Sequence, residues 1–140
     1  MSDNYFLDTN VFVYSFDRST KGETAKKLIS NGLSSQRAKI SYQVVQEFIN
    51  VSTRKFKEPL TIGDLRIYVP KVLQPLWTVY SSPKLIQSAL DIKERWLFGY
   101  YDSLIIAAAI EANCSKLYSE DLQHGQKVYD LEIINPFIQV

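Results

Sequence analysis

Apolar and polar positions alternate along the chain in short blocks whose period changes repeatedly between strand and helix. Residues 4 to 8 (NYFLD) form an aromatic-rich stretch of strand length, and Thr9 and Asn10 after it are capping residues for a helix from Val11 to Phe16. Between Thr24 and Leu33, Ala25, Leu28, Ile29 and Leu33 recur at helical spacing, with Lys26, Lys27 and Ser30 on the other side, so the pattern predicts an amphipathic helix. Residues 38 to 41 (AKIS) predict a second strand. Val44, Val45, Phe48, Ile49 and Ser52 then step round one face of a helix that carries Glu47 within it. Residues 61 to 73 give a further helix through Ile62, Leu65, Val69 and Leu73, which Pro70 should bend or break. WTVY at 77 to 80 predicts a strand, and Pro83 after Ser82 is placed to begin a helix that runs to about Trp96. DSLIIAAAIEAN at 102 to 113 is apolar on nearly every side, the mark of a helix buried against a sheet. KLYS at 116 to 119 and LEII at 131 to 134 complete the set of strands.

Short strands alternating with helices imply an α/β fold, a three-layer α/β/α sandwich around a mainly parallel central sheet. With no repeat, linker or low-complexity tract in 140 residues, residues 1 to 140 are expected to form one domain. The hydrophobic share of 46% excludes a disordered chain, and a net charge of +1 excludes a generic polybasic binder of nucleic acid. No apolar run suggests a signal peptide or membrane span, so the expected location is cytoplasmic. One cysteine, Cys114, and one histidine, His124, are too few for a Cys/His zinc site or an internal disulfide. Any bound metal must then be held by oxygen.

Motifs for phosphate loops, dinucleotide binding and nucleophilic serine are absent, which leaves carboxylates to carry chemistry. Asp8 ends the first predicted strand, Glu47 lies beside the buried face of its helix, Asp102 opens the most apolar helix, and Asp121 follows the strand KLYS. Singly, each is better explained by a helix cap, a boundary residue or a turn than by catalysis. Together they are not, because parallel topology gathers strand ends and helix starts on one side of a sheet. Clustered carboxylates need a counter-charge, and magnesium or manganese suits an all-oxygen site. Such an ion polarises a phosphodiester and lowers the pKa of bound water, so hydrolysis of a phosphodiester is the implied reaction.

FLDTNVFVY around Asp8, SYQVVQEF around Glu47, YYDSLIIAAAIEANCSKLYSEDLQHG across Asp102 and Asp121, and IINPF near the end stand in an order that resembles the PIN domain, the nuclease fold of VapC-type toxins. The resemblance extends from Asn4 to Phe137, although residues 57 to 80 carry no family motif. It implies a metal-dependent endoribonuclease with Asp8, Glu47, Asp102 and Asp121 as the acidic, metal-holding site and Thr9, Asn10 and Ser119 as supporting residues. Glu120 competes with Asp121 for the fourth place; Asp121, two positions after Ser119, fits the family pattern better. The resemblance further implies an RNA substrate, an antitoxin partner and a homodimer, for which the helices at 24 to 33 and 61 to 73 offer apolar surface. A nuclease of RNA or DNA processing without an antitoxin, or a non-catalytic RNA-binding module, are the alternatives.

Lys26, Lys27, Arg37, Lys39, Arg54, Lys55 and Lys57 are candidates to line a substrate path through phosphate contacts, with solvated helix faces an equal alternative. Trp96, Leu97, Phe98, Tyr100 and Tyr101 are candidates for stacking on bases, with packing the better-supported role. His124 is expected to be an exposed loop residue and Cys114 a small buried one without chemistry.

Overall fold

The computed structural model describes residues 2–138. Its strands are β1 (Tyr5–Leu7), β2 (Ala38–Ser41), β3 (Trp77–Val79), β4 (Lys116–Tyr118), β5 (Lys127–Val128) and β6 (Leu131–Ile134). Its helices are α1 (Thr9–Tyr14), α2 (Thr20–Ser35), α3 (Tyr42–Arg54), α4 (Ile62–Tyr68), α5 (Gln74–Leu76), α6 (Pro83–Trp96) and α7 (Tyr100–Glu111). The sheet order is β3-β2-β1-β4-β6-β5, parallel except for the edge pair β5–β6. Phe6 and Leu7 in β1 point to opposite faces and are both fully buried, as a central strand covered on both sides requires. Helices flank the sheet: α1 packs against α2 and α3, while α6 and α7 form an extensive pair, with α7 against β2 and β4.

The chain builds outward from β1 through β2 to β3, then returns to lay β4 on the other side of β1. The reversal makes β1 and β4 the switch point of the sheet. Connections leave these two strands in opposite directions, opening a crevice beyond their carboxyl ends, where open α/β sheets bind ligands. Asp8 follows β1 and Ser119 follows β4, so both stand at that crevice.

Close backbone packing holds the first helices in place. A Cβ on Gly22 would lie 2.0 Å from the Asp17 carbonyl oxygen, and one on Gly32 would lie 2.3 Å from the Ala38 Cβ. These two glycines let α2 fold tightly onto the turn after α1 and onto β2.

Most predicted elements are present, with differences in detail; the helix expected over 24 to 33 runs from Thr20 to Ser35. The first helix begins at Thr9 and ends at Tyr14; Asp8 itself is the N-cap, accepting from the Thr9 amide. Thr9 and Asn10 therefore lie inside the first turn, and their side chains are free for other partners. Pro70 bends rather than ends its helix, because the segment Val69–Leu73 widens into a π turn between α4 and α5. The helix α7 starts at Tyr100, so Asp102 lies in its first turn and does not open it. The short strand β5 was not expected from the sequence, since its two residues are too few to show a period. Among the described residues no helix is long and apolar enough to cross a membrane.

Candidate active site

Asp8 takes its place from the chain direction of β1. Its amide donates to the Tyr118 carbonyl of β4 at 3.0 Å, continuing the sheet ladder to the edge of the crevice. Its carboxylate accepts from the Thr9 amide at 2.7 Å and from the Ser119 hydroxyl at 2.7 Å. Ser119 is fully buried, and its oxygen also accepts from the Asp121 amide at 3.2 Å. One hydroxyl thus joins Asp8 to the turn that carries Asp121.

The other carboxylates reach the same cleft from separate elements. Glu47 lies on α3, one residue before Phe48, which is fully buried among Phe12, Phe16, Phe56 and Tyr68. That aromatic anchor fixes the rotation of α3 and turns Glu47 to the cleft, where its carboxylate accepts from the Thr9 hydroxyl at 2.8 Å. The Asn10 side-chain amide donates to Asp121 at 3.2 Å. Asp102, from the first turn of α7, also lines the cleft, whose volume is about 460 Å³. All four carboxylates singled out from the sequence line it, together with Thr9 and Asn10.

Their electrostatics show a site short of positive charge. Burial pushes the Asp8 carboxyl up to about 7; the hydrogen bonds from Ser119 and Thr9 pull it down, and the Glu47 and Asp121 charges raise it further. Burial, then the charge of Asp121, raises Asp102 as well. Among the described residues none of Asp8, Glu47, Asp102 or Asp121 has an ion pair. Among the described residues Lys55 is the one Lys or Arg lining the cleft.

Glu120 stands differently, although it borders the same cleft. It accepts from Tyr14 Oη at 2.6 Å and pairs with Lys21 Nζ at 2.7 Å. Burial alone would raise its carboxyl, but those hydrogen bonds and the Lys21 charge outweigh it and hold the group below the usual glutamate value. Glu120 is already neutralised, whereas Asp121 is not.

The sequence did not single out Gln43, Asn50, Tyr14 or Lys21. Gln43 and Asn50 stand one turn before and after Glu47 on the same face of α3, a signal present in the i−4, i+3 spacing. Tyr14 and Lys21 carried no such signal, because their meeting with Glu120 depends on how α1 and α2 pack. Of the basic candidates, only Lys55 lines the cleft; Lys57 borders an adjoining groove, Lys39 donates to the Gln36 carbonyl, and Arg37 pairs with Asp3. Among the aromatic candidates Trp96 packs edge-on to Tyr129, while Tyr101 is exposed and borders the cleft. His124 Nδ1 accepts from the Asn135 amide and so ties down a loop, and the buried Cys114 has its thiol pushed up to about 12 by desolvation.

The model of the PIN domain matches residues 5–128, nearly the whole chain. The chain belongs to the PIN domain family. Similar solved structures include a toxin–antitoxin complex from Klebsiella pneumoniae at 12% identity and TM-score 0.68, covering 96% of this chain and 98% of that one. A second is VapBC2 from Rickettsia felis bound to a DNA fragment from its promoter, at 18% identity and TM-score 0.68, covering 92% and 96%. A third is VapC20 of Mycobacterium tuberculosis, a toxin that cleaves the sarcin-ricin loop, at 15% identity and TM-score 0.60, covering 83% and 88%. Among curated proteins the chain matches none. At these identities the structures share a fold with this PIN domain; residue roles must be argued from its own cleft.

That cleft suits a hard divalent cation by its donor chemistry. Its carboxylates have no ion-pair partner among the described residues, and amide and hydroxyl oxygens stand beside them. Among the described residues no three acidic, His or Cys side chains are drawn together as a ready-made metal cage. Magnesium needs none, since it binds through one or two carboxylates and keeps several waters.

Proposed function

We propose that this PIN domain is a divalent-metal-dependent endoribonuclease that hydrolyses RNA phosphodiester bonds, and that it is the toxin of a type II toxin–antitoxin pair. The observation that carries the reading is that Asp8, Glu47, Asp102 and Asp121 all line one cleft at the sheet's switch point without an ion-pair partner among the described residues. A pure binder of polyanionic RNA would be weakened by such a cluster.

Asp8, Asp102 and Asp121, with Glu47, are the residues that would hold magnesium or manganese. The bound ion would neutralise the phosphodiester and lower the pKa of an attacking water. Thr9 and Ser119 keep Asp8 and Glu47 in fixed rotamers, so the donors are oriented before substrate arrives. Asn10 does the same for Asp121. Lys55 supplies a point charge at the border of the cleft that can meet a neighbouring phosphate.

With magnesium or manganese the purified protein should cleave RNA, structured RNA such as tRNA or rRNA included, and excess EDTA should stop it. Cleavage that continues undiminished in EDTA contradicts the metal mechanism, and the absence of cleavage with either metal contradicts the nuclease reading.

Asp121 and Glu120 can be separated by isosteric changes. Asp121→Asn should lower kcat by on the order of a hundredfold, as loss of an electrostatic catalytic group does. Glu120→Gln should retain most activity, because Glu120 is occupied by Lys21 and Tyr14. A reversal of the two effects, measured in the same cleavage assay, would move the fourth ligand to Glu120.

The partner reading is supported by the toxin–antitoxin complexes among the similar folds and by apolar side chains left in solvent on α4, Ile62 and Ile67. Expressed alone, the protein should arrest growth of its host; co-expression of the adjacent antitoxin gene should restore it and inhibit cleavage in vitro. Free growth of cells that contain active nuclease would refute the toxin assignment.

A further inference from the structure

The turn after β4 places two acids side by side at the border of one cleft. Asp121 accepts from the Asn10 side-chain amide at 3.2 Å and has no ion pair among the described residues. Both carboxylate oxygens of Glu120 are taken: one accepts from Tyr14 Oη at 2.6 Å and the other from Lys21 Nζ at 2.7 Å. Two neighbours of equal charge are thus held in opposite states.

The cation that makes the difference sits in a built seat. Its ammonium lies over the Tyr14 ring at 4.9 Å and over the Phe137 ring at 5.9 Å, and the two rings pack edge-on to each other at 4.8 Å. The end of α1, the start of α2 and the segment after β6 therefore meet around one lysine. A surface ion pair by itself contributes little, because water screens it and two long side chains must be immobilised. Here the rings add cation–π attraction and fix the ammonium, and the Tyr14 hydroxyl fixes the carboxylate.

The position of Lys21 in its own helix is unfavourable. It lies in the first turn of α2, at the positive end of the helix dipole, where an acid rather than a cation is stabilising. Glu120 offsets that cost. Lys21 does not itself line the cleft, so the charge it meets is that of Glu120 and not those of the four acids inside. Released, Glu120 would be a fifth unpaired carboxylate there. It would compete with the adjacent Asp121 for a cation and oppose the approach of a phosphodiester.

We propose that Lys21 is a positioning residue that locks Glu120 away from the cation site and leaves the fourth place to Asp121. Without Lys21, Glu120 joins the donors. The proposal rests on the metal-dependent reading above and adds to it the residue that decides between the two neighbouring acids.

The test is calorimetric titration of magnesium or manganese alone into metal-free wild type, Lys21→Met, Glu120→Gln and the double variant, at one ionic strength. Lys21→Met should bind the ions about tenfold more tightly, a coupling of the size found between groups in direct contact. Glu120→Gln should cancel that gain in the double variant, yet shift the affinity of wild type only about twofold, because a locked carboxylate is not a ligand. Lys21→Arg, which keeps the cation, should bind as wild type does. Equal effects of Glu120→Gln in both backgrounds overturn the proposal, since the two charges would then act independently from a distance. So does an affinity that Lys21→Met leaves unchanged, or a gain in Lys21→Arg equal to that in Lys21→Met. If wild type binds neither ion, the metal reading falls. The lock then survives only if Lys21→Met creates a site that Glu120→Gln removes, and no binding by either variant overturns both.

Discussion

Asp8→Asn is expected to abolish RNA cleavage while leaving the metal-free fold as stable as wild type or more so. The substitution keeps shape and hydrogen bonding, because the Asn oxygen can accept from the Thr9 amide and its nitrogen can donate to the Ser119 oxygen. It removes the charge that burial, Glu47 and Asp121 make unfavourable. The pH dependence has a definite sign. The folded-state pKa of Asp8 lies above its unfolded value, so the folded state takes up the proton more readily. The associated stability is fully present below pH 3.8 and is lost as pH rises through about 7. The charged form therefore costs metal-free wild type up to ~4 kcal/mol above neutrality, an upper bound for a shift of this size. The Asn variant carries no such slope. Its advantage in melting temperature should be largest at pH 8 and vanish near pH 4, and its thermal stabilisation by magnesium or manganese should shrink, since a ligand stabilises only as far as it binds the folded state. An active variant with an unchanged metal shift would remove Asp8 from the site and leave it a helix cap.

Phe48→Ala should be among the most destabilising single changes. Phe48 is fully buried, packs edge-on to Phe12 and Phe56 and stacks on Tyr68 at 5.0 Å, so truncation opens a cavity between α1, α3 and α4. Loss of a buried Phe costs about 3–5 kcal/mol, which in a chain of this length lowers Tm by roughly 10 °C or more. The effect should reach the cleft, since the same ring sets the rotation of α3 and hence the direction of Glu47. At temperatures where the variant is still folded, kcat should fall, while Phe48→Leu, which refills part of the cavity, should recover much of both losses. Thermal denaturation and the cleavage assay measure the two effects; a melting temperature within a few degrees of wild type would show that the aromatic cluster does not bear on α3 as described.

The sequence determined more of the architecture than of the site. The core strand β1 was legible because Tyr5, Phe6 and Leu7 form an apolar run of strand length, and α3 and α7 because one follows a helical period and the other is apolar all round. Elements shorter than a period were not legible: β5 has two residues, and its pairing with β6 comes from the turn between them. The start of α1 is ambiguous in the sequence because Asp, Thr and Asn are all good caps, and only the backbone shows that Asp8 takes that position. Pro70 marks a disturbance in the sequence itself, but that the helix widens rather than breaks shows only in the fold, where Leu73 and Leu76 are buried in the core.

For the site, the sequence supplied the four acids and their order, since a carboxylate at the end of an apolar strand or within an apolar helix is unusual in local terms. Their mutual arrangement is a matter of long-range contact. Thr9 reaches Glu47 across 38 positions and Asn10 reaches Asp121 across 111. The choice between Asp121 and Glu120, adjacent in the chain and equal in charge, also could not be made locally. Tertiary structure brings Lys21 and Tyr14 to Glu120 and leaves Asp121 without a cation among the described residues, because the packing of α1 and α2 puts their positive charge on one side of the turn only. Composition and period decide which residues are buried and in what element; which charges are then neutralised is decided by the few ångströms that folding sets between distant parts of the chain.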